Sequence, residues 1–370
     1  MDLAYKHNWA ETRKRMQAYW AREVLDRPCI AVTAPAGPPR HLDPAPDYKT
    51  LWTDPDYVAQ SYDVAHEATY FGGEAMPGTS LMVGYAFSYG APLHYTEQTI
   101  WQDPIIPSWD EAPSLDLDEG DWAWRQVQAV VARCAELASG KWMVGWPNIH
   151  QPNDHLPLLR DSQMFCLDLV DHPAEVQRAL RKLLDNWYVV YERISGMLTA
   201  QEGSITWLPV WCPWRKCVTL QSDISCTLSP AMFEEFIAPE LEELSHWLDA
   251  CLYHLDGPGA LQHLDRLLAM ERLHAIQWTP GTGNEEGLEW LELFRRIQEG
   301  GKGVVIWLPY DQVEAAVREL RPEGLFILTG AESPAAAEAL LERAVEITRR
   351  KPGPLRGRGY EPAEESGPGV

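Results

Sequence analysis

The sequence predicts a (β/α)8 barrel of the TIM type, preceded by an N-terminal helical extension. Eight short runs of the chain are apolar throughout, which is typical of parallel strands covered on both faces. Stretches with helical periodicity separate these runs, and eight such units favour a closed barrel over an open doubly wound sheet. The 370 residues and 45% apolar composition suffice for one such domain with insertions.

The predicted elements begin with a helix at residues 5–24. Strands are predicted at residues 29–35, 80–86, 141–146, 205–211, 250–256, 274–280, 303–309 and 324–330. Helices are predicted from residue 54, at 118–139, 161–170 and 173–200, from residue 230, at 259–269, 286–299 and 311–320, and from residue 334. Asp54, Ser229 and Ser333 are each followed by proline, the pairing of an N-cap with the first helical position.

We expect one domain over residues 1–350. Residues 87–117 are rich in Pro, Trp and Asp without a clear period, and we interpret them as an ordered insertion. Residues 351–370 are rich in Gly, Pro and charge, and we expect a disordered tail there.

The net charge of −23 argues against nucleic acid and anionic membranes as partners. The N-terminus has no apolar segment typical of a signal peptide, and no apolar run is long enough to span a bilayer. The seven cysteines are odd in number and form no CxxC pair, which favours a reducing compartment. We therefore expect a cytoplasmic protein that binds a small molecule; a monomer and a homodimer both stay open.

The candidate catalytic residues follow predicted strands, because the active site of this fold forms at the C-terminal ends of the strands. In the segment YHLDGPG, His254 and Asp256 point to the same side of an extended chain. They could bind a metal or act as an acid-base pair. The alternative is a buried histidine hydrogen-bonded within a tight turn. Asp223, in LQSDISC, is a further candidate.

The candidate substrate-binding residues are polar or aromatic and follow the same strands. They are Tyr85, Asn148, His150, His155, Trp207, Trp211, Trp214, Gln277 and Trp278. Tryptophan faces can surround a quaternary ammonium group or stack on a sugar. The alternative for most of the 17 tryptophans is core packing.

Three segments resemble the uroporphyrinogen-decarboxylase-like superfamily, which includes cobalamin-dependent methyltransferases. They are HLPLLRDSQMFCLDLVDHPAEVQRAL, SDISCTLSPAMFEEFIAPEL and YHLDGPGALQHLDRL. With the strand order, the resemblance covers roughly residues 50–350. The opening HNWAETRKRMQAYWAREVLDRPCIAVTAP resembles a subgroup described as trimethylamine-corrinoid-protein-like.

The departures from this superfamily narrow what the resemblance implies. The decarboxylase's arginine segment and its catalytic Asp are replaced by DRPCIAVTAPAG and LMVGYAFS, which argues against a porphyrin substrate. The zinc methyltransferases use His-x-Cys and a later Cys. Here His254 matches the histidine, Asp256 replaces the first cysteine, and the last strand ends in LTGAES with Glu332. His254 and Asp256, with Glu332 as a third ligand, could therefore hold zinc or another divalent metal. The alternative is that no metal binds and that His254 and Asp256 contact the substrate directly.

The resemblance implies a methyltransferase that moves a methyl group from a small methylated substrate to a thiol or to a corrinoid protein, with the corrinoid supplied by that partner. One alternative is a decarboxylase or lyase, which needs a cation such as Arg160, Arg215 or Lys216 to hold a carboxylate. The other is a non-catalytic barrel that binds a small molecule.

Overall fold

Parallel strands form the centre of the computed structural model, which describes residues 3–81, 88–147 and 149–350. The strands are β1 (Cys29–Pro35), β2 (Thr69–Gly73), β3 (Leu93–Tyr95), β4 (Ile100–Gln102), β5 (Ser204–Ile205), β6 (Trp211–Cys212), β7 (Cys217–Gln221), β8 (Ala250–Asp256), β9 (Ala275–Thr279), β10 (Gly303–Trp307) and β11 (Leu325–Gly330). Seven of them form one sheet in the order β2-β1-β11-β10-β9-β8-β7. Every neighbouring pair is parallel except β1 and β2.

Helices alternate with these strands, giving a mixed α/β fold. They are α1 (Trp9–Trp20), α2 (Tyr48–Thr53), α3 (Pro55–Glu67), α4 (Trp122–Ala138), α5 (Pro152–Arg160), α6 (Ser162–Asp171), α7 (Pro173–Met197), α8 (Pro230–Met232), α9 (Ala238–Trp247), α10 (Leu264–Ala269), α11 (Leu291–Glu299), α12 (Val313–Glu319) and α13 (Pro334–Arg349). The predicted N-caps Asp54, Ser229 and Ser333 are confirmed, since each side chain accepts a first-turn backbone N–H. Among the described residues, no helix has the length and apolarity needed to cross a bilayer.

The sheet is barrel-like, although the described residues contain no continuous closed ring of strands. The first strand pairs with the last one, β1 with β11, as closure requires. At the other edge, parallel bridges join Gly78 to Met143 and Leu81 to Pro147. The backbone N–H of Trp146 then donates to the carbonyl of Ile205 at 3.4 Å. These isolated contacts lie where the missing strands of a closed barrel would pair, but the segments do not form regular strands.

Two predicted strands differ from the structure. Residues 141–146 were expected as a strand, but they form only an isolated bridge at Met143. Residues 205–211 were expected as one strand, but they belong to a hairpin in which β5 pairs antiparallel with β6. Pro209 cannot donate to a ladder, so the chain turns there. The strand that joins the sheet is β7, which the sequence analysis missed. The predicted strand at 80–86 lies largely outside the described residues, as does the predicted tail at 351–370.

The strand β2 was also missed, because its sequence TYFGG carries two glycines and little apolar pattern. Gly73 has a φ of +55°, and a Cβ there would lie 2.1 Å from the carbonyl oxygen of Ile30. Only glycine allows this close approach to β1. The predicted insertion contains the antiparallel hairpin of β3 and β4.

The central sheet has two unlike faces. Residues on what we call the inner face pack against α1; they are Cys29, Ala31, Cys217, Ala250, Leu252, Ala275, Val305, Phe326 and Leu328. Alternate residues, such as Ile30, Tyr253 and Ile276, pack with the outer helices. Helix α1 contacts the beginnings of the strands, so it covers the N-terminal end of the inner face. The same alternation carries polar side chains to the inner face at the C-terminal end.

Candidate metal centre and active site

Three predicted catalytic side chains converge where β7 and β8 end. Asp223, His254 and Asp256 each offer one ligand atom, and these atoms lie within 4.8 Å of one another. The register explains this convergence, because Gln221 pairs with His254 across the two parallel strands. Asp223 lies two residues after Gln221, and Asp256 lies two residues after His254. Asp223 is therefore aligned with Asp256, and both lie on the face of the sheet that carries His254. Two carboxylates and an imidazole form a donor set suited to a divalent cation. We call these three residues the Asp-His-Asp cluster.

The tautomer of His254 follows from its hydrogen bonds. Gln277 donates from Nε2 to the carbonyl of Trp278 at 2.6 Å and to Oγ1 of Thr279 at 2.8 Å. A carbonyl only accepts, so this amide atom is the nitrogen and the other, Oε1, is the oxygen. Oε1 contacts Nδ1 of His254, which must therefore carry the proton. Neutral His254 thus keeps its lone pair on Nε2, the state needed for a metal ligand or a base.

Trp207 covers one side of this histidine. Its ring meets the His254 ring edge to face, with centroids 5.1 Å apart and an interplanar angle of 78°. Trp207 is half-buried and packs against the inner-face residues. It therefore restricts the orientation of the imidazole.

A fourth acid, Asp154, lies behind the cluster. Its carboxylate accepts from Nε2 of Gln221 at 2.9 Å and from the backbone N–H of Asp223 at 2.7 Å. Burial, followed by the charge of Asp223, raises the pKa of Asp154 to about 7. Desolvation also raises the pKa of Asp223; Asp256 adds to the rise and His254 opposes it. Burial and neighbouring negative charge thus disfavour the charged forms of Asp154 and Asp223, although Asp223 is itself exposed.

No basic side chain in the described part of the chain forms an ion pair with these acids. Arg160 is buried in an ion pair with Asp168 at 2.7 Å. Arg215 is exposed and donates to a backbone carbonyl in the loop after α7, and Lys216 pairs with Glu192 at 2.9 Å. The three basic side chains that were candidates for holding a substrate carboxylate thus contact other groups and not the Asp-His-Asp acids. The Asp-His-Asp cluster instead favours a cation as ligand, either a metal or a charged substrate.

Glu332, expected as a third metal ligand, does not join His254 and Asp256. It is exposed after β11, while Asp223 completes the group. Strands β9 and β10 lie between β8 and β11, which makes three interstrand spacings. The backbone of β11 is therefore about 14 Å from that of β8, measured across the sheet. Asp223 follows the strand adjacent to β8, which brings it within reach.

Three of the predicted substrate-binding tryptophans lie away from the cluster. Trp211 is 1% exposed and meets Trp9 of α1 edge to face. Trp214 packs against Trp20 of the same helix. Trp278 is buried on the outer face against Trp290, because its neighbour Gln277 occupies the inner face. These three rings therefore contribute to packing.

The remaining predicted binding residues fall into two groups. Gln277 is at the site and orients His254. His150 and His155 lie side by side with ring centroids 6.2 Å apart. Burial lowers the pKa of His150 to about 4 and that of His155 to about 3, so both rings are neutral at physiological pH. Tyr85 and Asn148 lie outside the described residues.

Sequence reasoning missed Trp307 and the role of Gln221. Trp307 lies two residues after Val305 on β10, so strand alternation places it on the inner side at the C-terminal strand ends, and the residue is 38% exposed. Val305 pairs with Gln277, so Trp307 is level with Thr279. Strand alternation within GVVIW could have revealed this position.

Comparisons with known proteins support the fold. No family model and no curated protein matches the sequence. Among solved structures, the chain is similar to a methyltransferase from Methanosarcina mazei, with a TM-score of 0.58 and 13% identity over 91% of this chain and 98% of that chain. At this identity the likeness concerns the fold, so the protein has a methyltransferase-like α/β fold.

Proposed function

We propose that this protein is a metal-assisted methyltransferase that acts on a small methylated compound. The observation that carries the proposal is the Asp-His-Asp cluster, which lies at the C-terminal strand ends without a paired basic side chain in the described residues. Its position in a fold similar to that of a methyltransferase supports this chemistry. We further propose that segments 78–81 and 143–147 complete a closed barrel around the site.

The donor set fits a divalent metal. Asp223, His254 and Asp256 would hold Zn²⁺ or another divalent ion, which would supply Lewis acidity at the leaving heteroatom of the substrate. Gln277 keeps the Nε2 lone pair of His254 available, and Trp207 restricts its ring. The replacement of thiolates by carboxylates makes the site harder than one with two cysteines.

The reaction transfers a methyl group as an electrophile. The carbon–heteroatom bond of the substrate breaks with its electron pair on the heteroatom, and the acceptor's own pair forms the new bond to carbon. The acceptor is a reduced corrinoid carried by a partner protein, or a thiolate. Trp307, partly exposed on the strand two away from β8, would offer an aromatic face to the methylated substrate.

Methyl transfer under reducing, anaerobic conditions tests this function. Protein reconstituted with Zn²⁺, Co²⁺ or Mn²⁺ is given methylated amines, ethers or thioethers, with cob(I)alamin or a small thiol as acceptor. We expect methylcobalamin or a methyl thioether to form. Asp223→Asn should lower the rate by more than about 100-fold, because loss of a ligand exceeds the effect of losing an outer partner.

Glu332→Gln is the matched control, since it neutralises an acid at the same end of the sheet that lies outside the cluster. Its rate should equal that of the wild type. Binding of methylated ligands without transfer to either acceptor would contradict the enzymatic proposal and favour a binding protein.

A further inference from the structure

Asp154 connects the first turn of α5 to the segment that follows β7 and carries Asp223. It lies in the first turn of α5 and is 6% exposed. One carboxylate oxygen accepts from the Gln221 side chain, and the other from the backbone N–H of Asp223. Both ends of the short turn from Gln221 to Asp223 are therefore fixed by a single side chain.

The position of Asp154 is itself fixed by a second buried acid. Glu240 of α9 accepts from the backbone N–H of Asn153 at 3.1 Å and from its Nδ2 at 2.8 Å. Helices α5 and α9 and the end of β7 thus form one connected unit through Glu240, Asn153 and Asp154.

We propose that Asp154 is a positioning residue that sets the placement of Asp223 in the metal centre and so controls metal affinity without contacting the metal. This inference rests on the metal centre of the proposed function. Removing the carboxylate leaves two donors, Nε2 of Gln221 and the N–H of Asp223, without their buried acceptor. The turn would then relax, and the Asp223 carboxylate would leave its position beside His254 and Asp256.

The chemistry of the two contacts allows a rescue experiment. In Asp154→Asn, the amide oxygen can still accept from the N–H of Asp223, but the contact with Gln221 survives only if the Gln221 amide turns its oxygen towards the new nitrogen. Adding Gln221→Glu supplies an acceptor for that nitrogen. The double variant therefore keeps both hydrogen bonds and the total charge. The side chain at position 154 would donate and that at position 221 would accept, the reverse of the wild-type Asp154 and Gln221 pair.

The test measures binding of Zn²⁺ alone to the full chain by calorimetry, together with the visible spectrum of bound Co²⁺. Asp154→Asn should weaken Zn²⁺ binding about 10- to 100-fold and shift the Co²⁺ bands. The double variant should recover both towards wild type. Asp63→Asn is the matched control, because Asp63 is an equally buried acid whose carboxylate has other partners, namely Tyr5, Arg40, Lys141 and Trp142. Asp63→Asn should lower the free energy of unfolding and leave the Zn²⁺ affinity unchanged.

The inference is overturned if Asp154→Asn folds and binds Zn²⁺ with wild-type affinity and an unchanged Co²⁺ spectrum while Asp223→Asn loses binding. That result would leave the proposed metal centre intact. Equal losses of Zn²⁺ affinity in Asp154→Asn and Asp63→Asn would also overturn it, because the effect would then be general destabilisation. Absence of metal binding by the wild type would overturn the metal centre and the role of Asp154 together.

Discussion

Tryptophan has different roles at the two ends of the inner face: it packs the core at one end and borders the candidate site at the other. At the N-terminal end, Trp9, Trp20 and Trp211 are between 1% and 4% exposed and pack with one another. At the C-terminal end, Trp207 is half-buried against His254, and Trp307 is 38% exposed. The difference arises because α1 covers one end and leaves the other to polar side chains. A tryptophan near a strand is thus informative about function only once its end of the sheet is known.

The largest effect should come from Trp211→Ala at the covered end. Trp211 packs on Trp9 with ring centroids 5.0 Å apart, and its carbonyl accepts from Trp20 Nε1 at 2.9 Å. Truncation leaves a cavity in a dry core, so we expect a loss of about 3–5 kcal/mol in the free energy of unfolding. Urea denaturation measures this loss. A loss typical of a surface site, below about 1 kcal/mol, would contradict the assignment of Trp211 to the core.

The same substitution at the open end, Trp307→Ala, should change the free energy of unfolding by less than about 1 kcal/mol. Instead we expect a higher KM for the methylated substrate, because an aromatic face at the mouth is lost. Steady-state kinetics separates KM from kcat. Trp101→Ala is the matched control, since Trp101 is 43% exposed on β4. Equal KM values for both variants would remove Trp307 from the substrate site.

Much of the fold was predictable because the central strands are continuous apolar runs. The segments that became β1, β8, β9, β10 and β11 were placed to within a residue or two. The missed strands β2 and β7 are short and carry glycine or polar residues, so their pairing depends on neighbours distant in sequence. The turn at Pro209 could have been anticipated from proline's missing N–H.

The candidate site was predictable where alternation along one strand decides the geometry, as for His254 and Asp256. Alternation also argues against placing both Gln277 and Trp278 in the pocket. The choice between Asp223 and Glu332 as third member could not be made from sequence, because it depends on strand order in the sheet. The role of Asp154 likewise appears only through its contacts with Gln221 and Asp223.

Calorimetric titration of Zn²⁺ into matched variants decides whether Asp223, His254 and Asp256 form a metal centre. We expect one site in the wild type, unchanged affinity in Glu332→Gln, and a loss of more than about 100-fold in Asp223→Asn and Asp256→Asn. Normal Zn²⁺ affinity in both aspartate variants, or a loss confined to Glu332→Gln, would contradict it.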